Sequence, residues 1–291
     1  MRMPNFFIVG APKCGTTSIA YWLTKHPQVF FSPVKEPHFF STDEPSRPID
    51  DLLRYERLFE KAGPHHAAVG EGSTGYLASR TAVPSILAYN PDARFIICLR
   101  NPVDMACSLH AEQLAQGQEH IEDFATAWGL CSERAAGRRV SRWCESAKRL
   151  DYASVCSLGS HLERLFSIVD RARIHVLLFD DLTESAPTLY SGILEFLGIA
   201  DDGSTAFEVR NSRSRLRSNA LKKAVLSAGK LKRSLGIDAG IGLLNAIDRA
   251  NRKTAEPLAM TTELREELNR HFRPEVEKLA QLLSRDFSHW T

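Results

Sequence analysis

Phe6-Phe7-Ile8-Val9-Gly10-Ala11-Pro12-Lys13-Cys14-Gly15-Thr16-Thr17-Ser18 is the stretch that decides the fold. Its apolar run, rich in β-formers, stops at Gly10, and from about Thr17 to Lys25 the apolar positions recur at helical spacing. The stretch is therefore a buried strand, a loop with two glycines five residues apart, and a helix. Amide N–H groups of such a loop converge, and the helix N-terminus adds partial positive charge. A phosphate or similar anion is thus the natural ligand of the run Lys13, Cys14, Gly15, Thr16, Thr17 and Ser18.

Working outward, Arg94–Leu99 and Ile174–Phe179 read as further buried strands, and Gln28–Phe31 and Ala67–Gly70 as shorter ones. Helical patterns fall at Val103–Leu114 and near 50–60, 81–89, 122–136, 157–169 and 185–197. This alternation predicts a doubly wound α/β, three-layer fold around a central, mostly parallel five-stranded sheet. Beyond Gly198 the strand signals stop, and helices near 218–234 and 261–283 predict a C-terminal helical cap. We expect one domain over residues 1–291, with a core of about 1–200 and a helical part of about 201–291.

With 43% hydrophobic and 25% charged residues the composition excludes a disordered, collagenous or disulfide-framework protein. The net charge of +2 hides an asymmetry: residues 210–233 carry nine Lys and Arg and no Asp or Glu, so the rest of the chain is net −7. No nucleic-acid module accompanies that basic run, and nucleic acid is not expected as a partner. The six cysteines show neither C-x-x-C nor zinc spacing, so no metal is expected and reduced thiols of a cytoplasmic protein fit best. No apolar run approaches the roughly 20 residues of a membrane span, and no signal-peptide pattern opens the chain.

The glycine loop is P-loop-like but departs from the triphosphatase form. Thr16 stands where a Lys should follow the second glycine, and Lys13 lies two residues before that glycine. A P-loop small-molecule kinase remains an alternative, with Asp180-Asp181 the one candidate for a Mg²⁺ carboxylate, and so does a non-catalytic nucleotide-binding module.

Three separate stretches resemble one family. Pro12-Lys13-Cys14-Gly15-Thr16-Thr17-Ser18 resembles the 5′-phosphosulfate loop of sulfotransferases that use 3′-phosphoadenosine 5′-phosphosulfate (PAPS). Arg100-Asn101-Pro102-Val103-Asp104-Met105-Ala106-Cys107-Ser108 resembles the family's 3′-phosphate motif, which implies that Arg100 and Ser108 hold the ribose phosphate. Lys35-Glu36-Pro37-His38-Phe39-Phe40 resembles the stretch carrying the catalytic glutamate in the heparan-sulfate-type branch and its bacterial relatives.

The resemblance implies PAPS as donor, adenosine 3′,5′-bisphosphate (PAP) as product, no metal, and a hydroxyl acceptor on a sugar, lipid, natural product or carrier-bound intermediate. In-line transfer needs a base on the acceptor and positive charge on the leaving phosphate. Glu36 is the expected base, Lys13 the cation at the leaving phosphate, Lys35 a cation for the transferring sulfonate, and His38 the runner-up base. Pro33, Pro37, Phe39 and Phe40 around Glu36 suggest a partly apolar cleft that raises its pKa. Glu71 and Tyr76 are expected to contact the acceptor, although relatives commonly have Lys and Pro where this chain has Gly72 and Thr74. Arg213, Arg215 and Arg217 lie in a segment that closes over the nucleotide in related enzymes.

Overall fold

β1 (Phe6–Gly10) is buried along its whole length and sits at the centre of a five-stranded, all-parallel sheet. Its partners are β2 (Val29–Phe31), β3 (Ala68–Gly72), β4 (Arg94–Leu99) and β5 (Ile174–Leu178), in the order β2-β3-β1-β4-β5. Strands covered on both faces read as continuous apolar runs, which is why Phe6–Val9 and Phe95–Leu99 carry no polar alternation. Phe7 stacks on Phe95 across the two strands, with ring centroids 6.2 Å apart. The chain passes from β3 to β4 across β1, so the loops after β1 and β4 leave the same edge of the sheet, where open parallel sheets bind ligands.

The computed structural model describes residues 2–45, 47–208, 214–216, 221, 224, 227, 250–254 and 260–290. The chain divides into two compact units. The first comprises Met1–Met105, Cys156–Asn211 and Glu267–Thr291, and holds the parallel sheet. The second comprises Ala106–Val155 and Ser212–Glu266. No helix among the described residues is long and apolar enough to cross a membrane.

The connecting helices are α1 (Thr16–Leu23), α2 (Leu52–Arg57), α3 (Ala82–Tyr89) and α4 (Pro102–Gln116), then the short α5 (Phe124–Gly129), α6 (Cys131–Ala135) and α7 (Tyr152–Val155). They continue with α8 (Leu158–Ile168), α9 (Phe179–Glu184), α10 (Ala186–Leu197) and α11 (Thr262–Leu283). The expected helix near 122–136 is two helices, α5 and α6, and Asp180-Asp181 sit in the first turn of α9. β3 runs two residues past its expected end and takes Glu71 and Gly72 into the sheet.

The expectation that strands stop after Gly198 is corrected by β6 (Ser214–Leu216) and β7 (Arg252–Thr254), an antiparallel pair in the second unit. Ser-Arg-Leu and Arg-Lys-Thr are too short and too charged to carry a strand period. The expected helix near 218–234 lies outside the described residues except at 221, 224 and 227, which are helical.

Candidate active site

Gly15 caps α1 at φ 86°, in the left-handed region. A Cβ there would lie 2.8 Å from Leu182 Cδ1 and 3.3 Å from Phe179 Cδ2, so the position admits glycine on two counts. Gly15→Ala is expected to cost about 1–3 kcal/mol of stability, read as a lower urea midpoint; an unchanged midpoint would show that the loop relaxes around the methyl group.

The N-cap of α1 is Gly15, which has no side chain with which to cap the helix, and the first turn holds no acidic residue, so the positive end of the helix dipole suits an anion. Cys14 in the same loop is fully buried, its Sγ 3.8 Å from Met105 Sδ. Burial pushes the Cys14 thiol up to about 12 against the pull of Arg100 and Lys13, so it packs the loop and is no nucleophile. Arg100, just past β4, donates from Nη1 to the Lys13 carbonyl at 3.3 Å and lies 4.4 Å above the Phe179 ring. The two anion motifs in the first unit are thus tied together by a direct contact.

The second half of the site comes from the segment after β2. Glu36 and His38 hold φ of 53° and 51°, and Lys13 holds 65°. These three expected site residues are among the five described non-glycine residues with positive φ. Backbone strain of this kind persists only where surrounding contacts over-determine it. Lys35 Nζ donates to Thr17 Oγ1 at 2.9 Å and lies 3.6 Å from Glu36 Oε1, so one ammonium joins the anion loop to the glutamate. Glu36 Oε2 accepts from Thr74 Oγ1 at 3.2 Å and lies 3.2 Å from His38 Nε2.

The expectation of a raised Glu36 pKa is corrected. Burial does push the carboxyl up, but the hydrogen bond and charge of His38, the Lys35 ammonium and the Thr74 hydroxyl outweigh it and hold it below the ordinary carboxylate value.

The expectation that Glu71 and Tyr76 face an acceptor is also corrected, because both are fully buried. Glu71 accepts from Tyr76 OH at 2.7 Å and Ser73 Oγ at 2.8 Å, with Tyr55 OH at 3.5 Å. Burial raises its carboxyl to about 7 against those hydrogen bonds. Sequence reasoning missed Tyr55, Ser73 and Thr74. For Thr74 a signal existed: it is one of the departures from the family pattern, and its hydroxyl reaches Glu36.

Ser108 lies on α4 in the second unit and is buried. Arg213 and Arg217 lie outside the described residues, and of Arg215 only the backbone, in β6, is described. Asp180 and Asp181, the one candidate for a Mg²⁺ carboxylate, are engaged with other residues. Arg285 grips Asp181 with two hydrogen bonds of 2.9 and 2.8 Å, and Asp180 accepts from Trp290 Nε1 at 2.8 Å. Asn101 Nδ2 in turn donates to the Trp290 carbonyl at 3.1 Å, so the C-terminal stretch clasps the residue next to Arg100.

A glycine-capped helix N-terminus with Arg100 tied to its loop, beside a segment that brings Lys35 onto Thr17, is a place suited to a bound anion. Residues 3–282 match the family described as Sulfotransferase domain, and the chain belongs to that family. It is 28% identical over 166 residues to human carbohydrate sulfotransferase 15, a match covering 42% of this chain and 29% of that protein's length. The crystal structure of a sulfotransferase from Alicyclobacillus acidocaldarius superposes with a TM-score of 0.75 at 27% identity, covering 100% of this chain and 99% of the other. A mouse sulfotransferase complexed with PAP shares the fold at a TM-score of 0.52 and 14% identity, over 94% of this chain and 84% of that one.

Proposed function

We propose that this sulfotransferase moves a sulfonate from PAPS to an acceptor hydroxyl, with Glu36 as general base. The observation that carries the reading is the Lys35 ammonium, 2.9 Å from Thr17 of the anion loop and 3.6 Å from the Glu36 carboxylate. One cation at that place serves both the transferring group and the base. The residues suit the donor: a helix N-terminus and Lys13 for the phosphosulfate, and the planar fork of Arg100 for a second phosphate.

In the reaction the acceptor oxygen forms a bond to sulfur as the bond from sulfur to the phosphate oxygen breaks. The acceptor proton passes to a Glu36 oxygen, and the electron pair of the broken bond stays on the PAP oxygen, stabilised by Lys13 and the amides at the start of α1. Thr74 and His38 hold the Glu36 carboxylate in place by their contacts with Oε2. A carbohydrate hydroxyl is the first acceptor class to test, since the human relative is by name a carbohydrate sulfotransferase.

Calorimetric titration with PAP, against AMP and against ATP with Mg²⁺, tests the donor. PAP is expected to bind best, and Arg100→Ala to weaken it about ten- to a hundredfold through the loss of charge-assisted hydrogen bonds. Preference for ATP with Mg²⁺ would overturn the reading, and unaltered PAP binding in Arg100→Ala would overturn the assignment of that residue.

A further inference from the structure

Backbone contacts fix the segment that carries Glu36 and His38. Glu36 N donates to the Gly72 carbonyl at 3.2 Å, His38 N to Ser73 Oγ at 3.0 Å, and Phe40 N to Tyr76 OH at 3.3 Å. Arg47 Nη1 donates to the Phe39 carbonyl at 2.8 Å. Two of these partners, the hydroxyls of Ser73 and Tyr76, donate to one carboxyl group: Ser73 to Glu71 Oε2 and Tyr76 to Glu71 Oε1. A hydroxyl has a single proton to give. By taking it, Glu71 turns the lone pairs of both hydroxyls toward the two loop amides.

We propose that Glu71 is a positioning residue, which sets the Glu36–His38 backbone through the Ser73 and Tyr76 hydroxyls without touching substrate. The proposal rests on the sulfonate-transfer reading for the role of Glu36. A carboxyl in the sheet is costly to bury, and a passive core position opposite Phe7 of β1 would be filled by an apolar residue. Its place is explained by what the two hydroxyls then hold. Left-handed φ at both Glu36 and His38 needs such outside support, because each costs energy that the local sequence does not return.

The brace has a pH signature. Glu71 faces Tyr55 of α2, Tyr76 and Ser73 of the segment after β3, and the His38 imidazole, while its neighbour on β1 is the uncharged Phe7. Burial holds its carboxyl at about 7, from an ordinary 4.5. Opening of the loop hydrates Glu71 and returns it toward the ordinary value. The closed form therefore binds the proton more tightly; the neutral carboxyl keeps acceptor capacity for Ser73 and Tyr76 and has the Tyr55 oxygen at 3.5 Å for its own proton, and closure weakens as pH rises through about 7.

The experiment is amide hydrogen exchange by NMR on the full chain, as protection factors at His38 and Phe40 between pH 6 and 8. In the wild type both are expected to fall about tenfold across that range. Glu71→Gln should abolish the pH dependence. Ser73→Ala should lower protection about three- to tenfold at His38 and not at Phe40, and Tyr76→Phe should do the reverse. A Glu71→Gln protein that keeps the wild-type pH dependence overturns the proposal. If that variant does not fold, Ser73→Ala and Tyr76→Phe decide alone, and loss of protection at neither amide or equally at both overturns it. PAP titration of the wild type separates the two readings: no PAP binding defeats sulfonate transfer, and the brace is still judged by its amides.

Discussion

Glu36→Gln is expected to lower the rate of sulfonate transfer by about two to four orders of magnitude while leaving PAP affinity nearly unchanged. The carboxylate lies below the ordinary pKa range, so at neutral pH it is already in the form that accepts a proton. A base held low has little pull on a free hydroxyl. Its advantage appears late, when the new bond to sulfur makes the acceptor oxygen acidic and the proton has a short path to a fixed carboxylate. The amide of Gln fills the same space and can keep the contact with Thr74 but has no capacity for that proton. Nucleotide contacts are assigned to other residues, so binding should survive. Rates measured with labelled PAPS and a carbohydrate acceptor, beside PAP calorimetry, make the comparison. A Gln variant within about threefold of the wild type would remove Glu36 from the mechanism and pass the role to His38.

The pH profile sharpens this test. An acid limb belonging to Glu36 lies below the ordinary carboxylate value, whereas a change near 7 belongs to Glu71. Glu36→Gln should therefore leave the change near 7 in place, since the residue responsible sits beneath the loop and not on it.

What the sequence makes legible follows from how locally each feature is encoded. β1 and β4 were readable because strands buried on both faces are unbroken apolar runs ending at Gly10 and Arg100, and the edge strand β5 because its apolar residues Val176–Phe179 stop at Asp180. The end of β3 was not, since Glu71 and Gly72 have the composition of a turn, and only the three hydroxyls around Glu71 make a buried carboxylate tolerable. The site divides in the same way. Lys13, Lys35, Glu36 and Arg100 stand in contiguous motifs, but the bond from Lys35 to Thr17 spans 18 residues and the one from Thr74 to Glu36 spans 38. No local pattern assigns a partner over such distances. The sign of the Glu36 pKa shift was misjudged for another reason: the neighbouring prolines and phenylalanines were weighed, whereas the adjacent His38 and Lys35, which together with the distant Thr74 outweigh burial, were not.

The largest stability effect is expected in the second unit, at Arg134→Met. Arg134 is fully buried, its Nη2 2.8 Å from Glu119 Oε2, and Nη1 donates to the Ala127 carbonyl at 3.2 Å. Glu119 accepts three hydrogen bonds besides its ion pair with the guanidinium. Oε1 accepts the amides of His120 and Ile121 at 2.8 and 3.0 Å, and Oε2 accepts from Tyr152 OH at 2.9 Å. Burial and the adjacent carboxylate together push the Tyr152 phenol up, which fits a hydroxyl that only donates here. Met matches the length of the Arg stem, so little packing volume is lost. It leaves a carboxylate in the interior with its cation gone, and breaking a buried pair from one side costs about 3–5 kcal/mol. Glu119→Gln in the same chain removes the stranded charge, and the double variant should recover at least about 1 kcal/mol relative to the sum of the two single losses. Urea unfolding of the three variants measures both quantities. A loss under about 1 kcal/mol in Arg134→Met would mean that water reaches Glu119 once the guanidinium is gone, and that the two amides of the 120–121 turn, rather than the ion pair, account for the carboxylate's place.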